Sequence, residues 1–102
     1  MPNYAAAHND LANALKGKGD FDGAIAESRE AVRLFPKSAR FNFILGDGSA
    51  ARQRWDESAV YLRRAVQADS GNARYRAELA QALVETALIL DHCNNVPGAI
   101  VK

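Results

Sequence analysis

Asp91, His92 and Cys93 are the residues of this chain whose types are most suited to chemistry. Thiolate and imidazole are good zinc ligands, and a cysteine beside a histidine can act as a nucleophile beside its base. Neighbouring residues of a helix point about 100° apart, however, and no second cysteine or histidine lies at ligand spacing. We therefore predict no metal site and no catalytic residue here.

Other catalytic patterns are also missing from the sequence. The chain has no glycine-rich phosphate loop, no serine at a strand-to-helix elbow and no paired carboxylates at a spacing typical of acid and base catalysis. The sequence predicts a protein that is not an enzyme and that uses no cofactor. Its function must then lie in the surfaces that its secondary structure presents.

The elements that would build such surfaces recur at an interval of 34 residues, as the step from Phe21 to Trp55 shows. The same interval joins Ala31 to Ala65, and it joins Leu11 to Leu45 and then to Leu79. A period between about 20 and 50 residues indicates stacked supersecondary units. This interval is long enough for two helices and their turns.

The first unit, residues 5–38, shows the plan most clearly. Apolar residues at helical spacing predict a first helix from Ala5 to about Lys18, ended by glycines that include Gly19. Asp20 is placed to cap a second helix, which we expect to run to Phe35 and to end at Pro36. The preceding residues 1–4 are predicted to be the remnant of an earlier unit, because Pro2 lies one interval before Pro36.

The second unit, residues 39–72, has weaker turn signals. Gln53 stands where the stop glycine would be, Arg54 replaces the capping aspartate and Ser70 replaces the closing proline. Gly48 lies within a predicted helix, where glycine costs about 1 kcal/mol relative to alanine. Gly48→Ala should therefore stabilise the protein by about 0.5 to 1 kcal/mol, provided that the position is an unstrained helix interior.

The third unit, residues 73–102, begins like the others but lacks its stop glycine at position 87. An alanine stands there instead and is followed by Leu88, Ile89 and Leu90, so the helix should continue by about two turns. The segment from Asn94 to Ile100 then imitates the opening of the first unit's second helix, and the sequence ends before that helix could form. We interpret this unit as an extended partial repeat or a capping segment of one domain that spans residues 1–102.

Composition and charge narrow the class of partner. The chain is 48% hydrophobic and 25% charged, as expected for a globular protein, and its apolar runs are too short for a membrane span. Its 13 basic and 12 acidic side chains are interleaved, which argues against a nucleic-acid or lipid surface as the partner. The one cysteine fits a reducing compartment, so we predict a cytoplasmic protein.

Period and pattern together resemble the tetratricopeptide repeat, a 34-residue helix pair with small residues where helices touch. The matching residues are Leu11, Ala12, Leu15, Gly19, Phe21, Ala24, Ala31 and Pro36, then Leu45, Gly46, Trp55 and Ala65, then Leu79, Ala80 and Leu83. His8, Asn42 and Arg76 depart from the aromatic expected near the start of each first helix. The resemblance implies an all-α fold, a right-handed superhelix of stacked antiparallel helix pairs with about two full repeats and an extended, incomplete third.

The resemblance also implies a concave groove that binds an extended peptide or a partner's helix. By similarity, the first helix of each repeat lines this groove, with side chains at Asn9, Asn13, Lys16, Arg40, Phe43, Asp47, Arg74, Gln81 and Glu85. Amide side chains can both donate to and accept from a peptide backbone, and the two arginines recur at one interval and could bind carboxylates. A solvated face that binds nothing is the alternative interpretation.

Two narrower uses of such a surface are disfavoured. The family's clamp for a C-terminal carboxylate would need amide and cationic side chains at positions that Ile44 and Glu78 occupy, and Glu78 would repel the ligand. Aromatic residues such as Trp55 and Tyr75 could stack on bases, but they fall mainly on packing positions.

Self-association is the competing function that the sequence suggests. The third unit's long first helix carries a set of apolar residues with no following helix to cover it, namely Leu83, Leu88, Ile89 and Leu90. A large exposed apolar patch usually marks an interface, so a homodimer is expected, formed end to end or by exchange of the extended segment. The alternative is that Asn94 to Lys102 folds back over the patch within one chain.

Overall fold

The computed structural model of this protein describes residues 2–94, with side chains described for residues 4–91. Five α-helices occupy this part of the chain: α1 (Pro2–Gly17), α2 (Phe21–Leu34), α3 (Ala39–Ala51), α4 (Trp55–Ala68) and α5 (Ala73–Asn94). The 2–94 range contains no strand. The all-α helix-pair fold expected from the 34-residue interval is confirmed.

One helix boundary differs from the prediction, and another agrees with it. α1 begins at Pro2, three residues before the predicted start. Proline is tolerated in the first turn of a helix because the N–H that it lacks would have no partner within the helix there. α5 runs without interruption past position 87 to Asn94, as the missing stop glycine predicted. The segment from residue 95 to Lys102, including most of the stretch that imitates the opening of the first unit's second helix, lies outside the described residues.

Neighbouring helices pack in chain order, and the helix pairs then stack. α1 packs on α2, α2 on α3, α3 on α4 and α4 on α5. α1 also contacts α3, and α3 contacts α5, whereas no Cα atom of α2 lies within 8 Å of one of α4. The first helices of the repeats therefore lie close together while the second helices stay apart.

The core has two parts, which follow the predicted apolar stripes. One cluster is built around Phe43, Leu62 and Ala82, and it joins all three repeats. The other contains Leu45 together with Ile25 and Val32 of the preceding helix α2. Leu45 thus packs against the second helix of the preceding repeat.

Leu11 shows that equivalent positions of the repeats are not equally buried. It occupies in the first repeat the position that Leu45 has in the second, but 47% of it is exposed. Leu45 is buried because α2 precedes and covers it, whereas no helix precedes α1 in the described part of the chain. The same sequence position is therefore core in one repeat and surface in another.

The turns within the first two repeats have the same geometry despite different residues. α1 ends with Gly19 in the left-handed region at φ 85°, and α3 ends with Gln53 there at φ 59°. The Asp20 side chain accepts a hydrogen bond from the Gly23 N–H at 3.0 Å and so caps α2, as predicted. Arg54 gives α4 no such cap, and Asp56 Oδ1 accepts from the Glu57 N–H at 2.9 Å instead.

Candidate peptide-binding groove

The side of the stack formed by α1, α3 and α5 carries the nine residues predicted to line a groove. Because these three helices approach one another while α2 and α4 do not, the stack is narrower on this side, which is the geometry of a concave wall. We call this side the groove face. Each of its helices presents one set of the predicted side chains.

Contacts between the predicted residues join successive repeats across the groove face. Lys16 of α1 forms an ion pair with Asp47 of α3, and both side chains are partly buried. The Arg74 guanidinium of α5 lies 5.1 Å from the centre of the Phe43 ring of α3. The three helices therefore form one continuous surface rather than three separate ones.

Phe43 is at the centre of this surface but is not itself available to a ligand. Its ring stacks on Tyr75 with the ring centres 4.6 Å apart, and only 5% of the residue is exposed. It supports Arg74, whose charged group is attracted to the ring face. The buried Phe43 ring therefore helps to hold the exposed Arg74 guanidinium in position.

Asn9 is also buried, with 1% of the residue exposed. Its side-chain Oδ1 accepts no hydrogen bond from the described residues. A buried acceptor without a donor costs free energy, so this oxygen favours any arrangement that brings an N–H to it. Asn13, one turn further along α1, is exposed, and its side chain makes no hydrogen bond within the described residues.

The remaining members are exposed or partly exposed polar groups. Gln81 donates from Nε2 to Glu85 Oε2 at 2.9 Å along α5. Arg40 approaches Asp10 of α1 at 3.9 Å, a long and solvent-exposed ion pair that leaves the guanidinium accessible. The accessible cations of the groove face are therefore Arg40 and Arg74, which occupy the same position in successive repeats.

Asp10 and Tyr75 belong to this surface although the sequence analysis did not place them there. Asp10 pairs with Arg40, and Tyr75 stacks beneath Arg74 through Phe43. A search for opposite charges between corresponding helices of adjacent repeats would have found Asp10.

The Glu30 carboxyl, whose pKa is lowered chiefly by its hydrogen bond to Arg33, lies on α2 and not on this face.

The residues predicted to mediate self-association lie on the second half of α5. Leu83 is 40% exposed, and the exposed fraction rises to 57% at Leu88 and 59% at Leu90. Ile89 and Leu90 also line a cavity of about 250 Å³ beside Trp55. Apolar surface is thus exposed at this end of the described structure.

The remaining predictions concern metals and membranes. Among the described side chains, no group of three or more histidine, cysteine, aspartate or glutamate residues is arranged to hold a metal ion. The side chains of His92 and Cys93 lie outside the described residues. None of the helices within residues 2–94 has the length and apolar composition that crossing a membrane requires.

Comparison with known proteins matches this architecture to one family. A family model described as tetratricopeptide repeat matches residues 9–73, which is well over half of the chain and extends from α1 to the start of α5. No curated protein matches the chain. The matched range includes most of the first repeat and all of the second, and it leaves almost all of α5 outside.

Proposed function

This chain belongs to the tetratricopeptide-repeat family, and on that premise we propose that it binds an extended peptide or a partner's helix along the groove face. Repeats of this family generally mediate protein–protein interaction and are typically not catalytic. We extend this general role to a specific surface, the one formed by α1, α3 and α5, and to binding without catalysis.

The observation that carries the proposal is the joining of groove residues across repeats. The Lys16–Asp47 ion pair neutralises one cation and one anion, while Arg40 and Arg74 remain accessible one repeat apart. An extended ligand crossing the helices would meet the two guanidinium groups in succession. Such a surface favours a peptide with carboxylates, since guanidinium and carboxylate form paired hydrogen bonds.

Asn13 adds a second type of contact. Its exposed amide can donate to and accept from the backbone of an extended peptide, which needs both at each residue. Because the Asn13 side chain makes no hydrogen bond within the described residues, a ligand would not have to displace an existing partner. The groove would then bind the peptide backbone through Asn13 of α1 and the peptide's carboxylates through Arg40 of α3 and Arg74 of α5.

The test is to select ligands from a display library of random peptides and measure their affinity for an Asn13→Ala, Arg74→Ala double variant. The variant loses the neutral hydrogen bonds of the Asn13 amide and the charged ones of the Arg74 guanidinium. We therefore expect it to bind the ligands at least about tenfold more weakly. Arg63→Ala is the matched control, because Arg63 is exposed on α4 and makes no ion pair in the described part of the chain. Ligands that bind the double variant as tightly as the original chain would contradict the proposal, provided that circular dichroism shows unchanged helicity.

A second candidate function is assembly through α5. The specific observation that favours it is the exposure of Leu83, Leu88, Ile89 and Leu90 on the second half of this helix. Apolar surface of this kind on a folded protein usually marks an interface. We propose a homodimer formed through this patch as the alternative to, or the companion of, peptide binding.

A further inference from the structure

An exposed aromatic residue at the end of α2 has no role that the fold requires. Phe35 follows the last residue of α2, and 46% of it is exposed. One repeat later the same position is Asp69, after the last residue of α4. Phe35 has φ −134° and ψ 80° and Asp69 has φ −143° and ψ 77°, and each N–H donates to the carbonyl four residues earlier. A polar residue therefore satisfies this backbone position equally well.

Phe35 forms one wall of a cavity of about 560 Å³ at the turn between α2 and α3. We call it the corner cavity, and its lining consists of Leu34, Phe35, Pro36, Lys37, Ser38 and Phe41. The Phe35 ring meets the Phe41 ring edge to face at 6.3 Å between centres. The volume of the corner cavity falls in the range of pockets that accept a ligand or a large side chain.

A buried asparagine fixes the shape of this turn. Asn42 is fully buried, and its Nδ2 donates at 2.8 Å to the backbone carbonyls of both Pro36 and Ser38. The corresponding residue of the next repeat is Arg76, which is exposed and has no such role. Two turns connect one repeat to the next, α2–α3 and α4–α5. Of these, only the α2–α3 turn beside the corner cavity is held by a buried asparagine.

The electrostatic surroundings of the corner cavity are positive. A second cavity of about 450 Å³ shares Pro36 and Lys37 with it and adds Arg64 and Gln67 of α4. The combined lining contains two cations and no carboxylate. Neither Lys37 nor Arg64 forms an ion pair within the described residues, although the Arg64 guanidinium lies 5.4 Å from the centre of the Tyr61 ring.

We propose that the corner cavity and its cationic rim bind an acidic segment of a partner protein that inserts one large apolar side chain. The apolar side chain would fill the space between Phe35 and Phe41, and flanking carboxylates would meet Lys37 and Arg64. The two cations and the absence of a carboxylate from the lining favour a partner segment of opposite charge. This surface is separate from the groove face, since it is formed by the α2–α3 turn and the end of α4.

The test is a selection from a random peptide display library on the original chain, with counter-selection on the Phe35→Asp variant. This variant carries the residue that the second repeat uses in the same backbone conformation, so it should fold. We expect enriched peptides to contain one aromatic or large aliphatic residue among several acids. Their affinity should fall at least about tenfold in Phe35→Asp and also in Lys37→Glu with Arg64→Glu, and it should weaken with added salt.

Two controls separate this site from others. Leu11→Asp places the same charge at another exposed apolar position, on α1 and outside the lining of both cavities, and should leave binding unchanged. The Asn13→Ala, Arg74→Ala variant of the groove face should also bind the selected peptides as before, so that failure of either proposal is seen independently. Thermal unfolding of each variant establishes that the chain is folded.

Several outcomes would overturn the proposal. They are the absence of any peptide that survives the counter-selection, enrichment of neutral or basic peptides, and loss of binding in the groove-face variant alone. Self-association that Phe35→Asp abolishes would assign the corner cavity to a second copy of this chain instead.

Discussion

At the scale of single residues, two glycines of α3 have different surroundings. A Cβ atom on Gly46 would lie 2.7 Å from Leu62 Cγ and 3.2 Å from the Leu62 backbone nitrogen. A Cβ atom on Gly48 would lie 3.3 Å from Ile25 Cγ1, and no other described atom outside its own stretch of helix would lie within 4 Å. The first contact requires α3 and α4 to separate, whereas the second requires only a small shift of one side chain.

We expect Gly46→Ala to destabilise the protein by about 1 to 2 kcal/mol. Overpacking against the fully buried Leu62 costs about 1 to 3 kcal/mol, and the higher helix propensity of alanine returns up to about 1 kcal/mol. Urea titration followed by circular dichroism measures the difference. The first repeat has Ala12 and Ser28 at the positions of Gly46 and Leu62. Gly46→Ala should therefore lower the free energy of unfolding by less in a Leu62→Ser background. An equal loss in both backgrounds would contradict the contact between residue 46 and Leu62.

Gly48→Ala is the matched comparison, and the structure modifies what the sequence alone predicted for it. The predicted gain of about 0.5 to 1 kcal/mol assumed open space, but the new methyl group would press on Ile25, which is 3% exposed. We now expect the free energy of unfolding to change by less than about 0.5 kcal/mol, because the propensity gain and the packing cost oppose each other. A loss as large as that of Gly46→Ala would show that Ile25 cannot move.

At the scale of elements, the turns that end α1 and α3 share one hydrogen-bond pattern. The Asp20 N–H donates to the Leu15 carbonyl at 2.9 Å, and the Arg54 N–H donates to the Ser49 carbonyl at the same distance. Each turn needs one residue with positive φ, which is Gly19 in the first and Gln53 in the second. A glycine adopts this conformation without strain, and other residues pay about 1 kcal/mol or more.

We therefore expect Gln53→Gly to stabilise the protein by about 1 kcal/mol or slightly less, since glycine also loses more entropy on folding. The reciprocal change Gly19→Gln should destabilise it by a similar amount, because a Cβ at Gly19 meets no atom within 4 Å and only the backbone strain is added. Denaturant titration of both variants measures the two shifts. Shifts of the same sign would show that the glutamine side chain stabilises the turn in another way.

At the scale of the whole molecule, apolar side chains are exposed at both ends of the stack. Leu11 is exposed on α1, where no described helix precedes it, and Leu88 and Leu90 are exposed on the second half of α5. In stacked repeats each unit covers the apolar side of its neighbour, and within the described residues α1 and α5 have a neighbouring repeat on one side only. Association of copies through one of these ends would bury it.

We expect the chain to form a homodimer that Leu88→Glu with Leu90→Glu dissociates, because the new charges would have to be buried at the interface. Light scattering on a size-exclusion column across a dilution series measures the mass. Val60→Glu is the control, since Val60 is 49% exposed on α4 and should not affect the dimer. A monomer at high protein concentration, or a dimer unaffected by the double change, would rule out this interface.

The sequence alone was enough to predict the elements and their order. The 34-residue interval, the glycine and proline stops and the missing stop at position 87 predicted five helices and the long α5, because these signals act through the local backbone. It also predicted which helices would line a groove, but only through the resemblance to a family. The roles of the groove residues stay predictions.

Which of these residues are accessible follows from the packing of the helices and not from local sequence signals. Leu11 and Leu45 occupy equivalent positions, yet one is exposed and the other buried, because burial depends on whether another helix packs against the position. Asn42 departs from the family pattern in sequence, and the fold shows it holding the α2–α3 turn through two carbonyls. The cationic rim of the corner cavity likewise could not be predicted, since it combines Lys37 of the α2–α3 turn with Arg64 of α4, which are far apart in the chain.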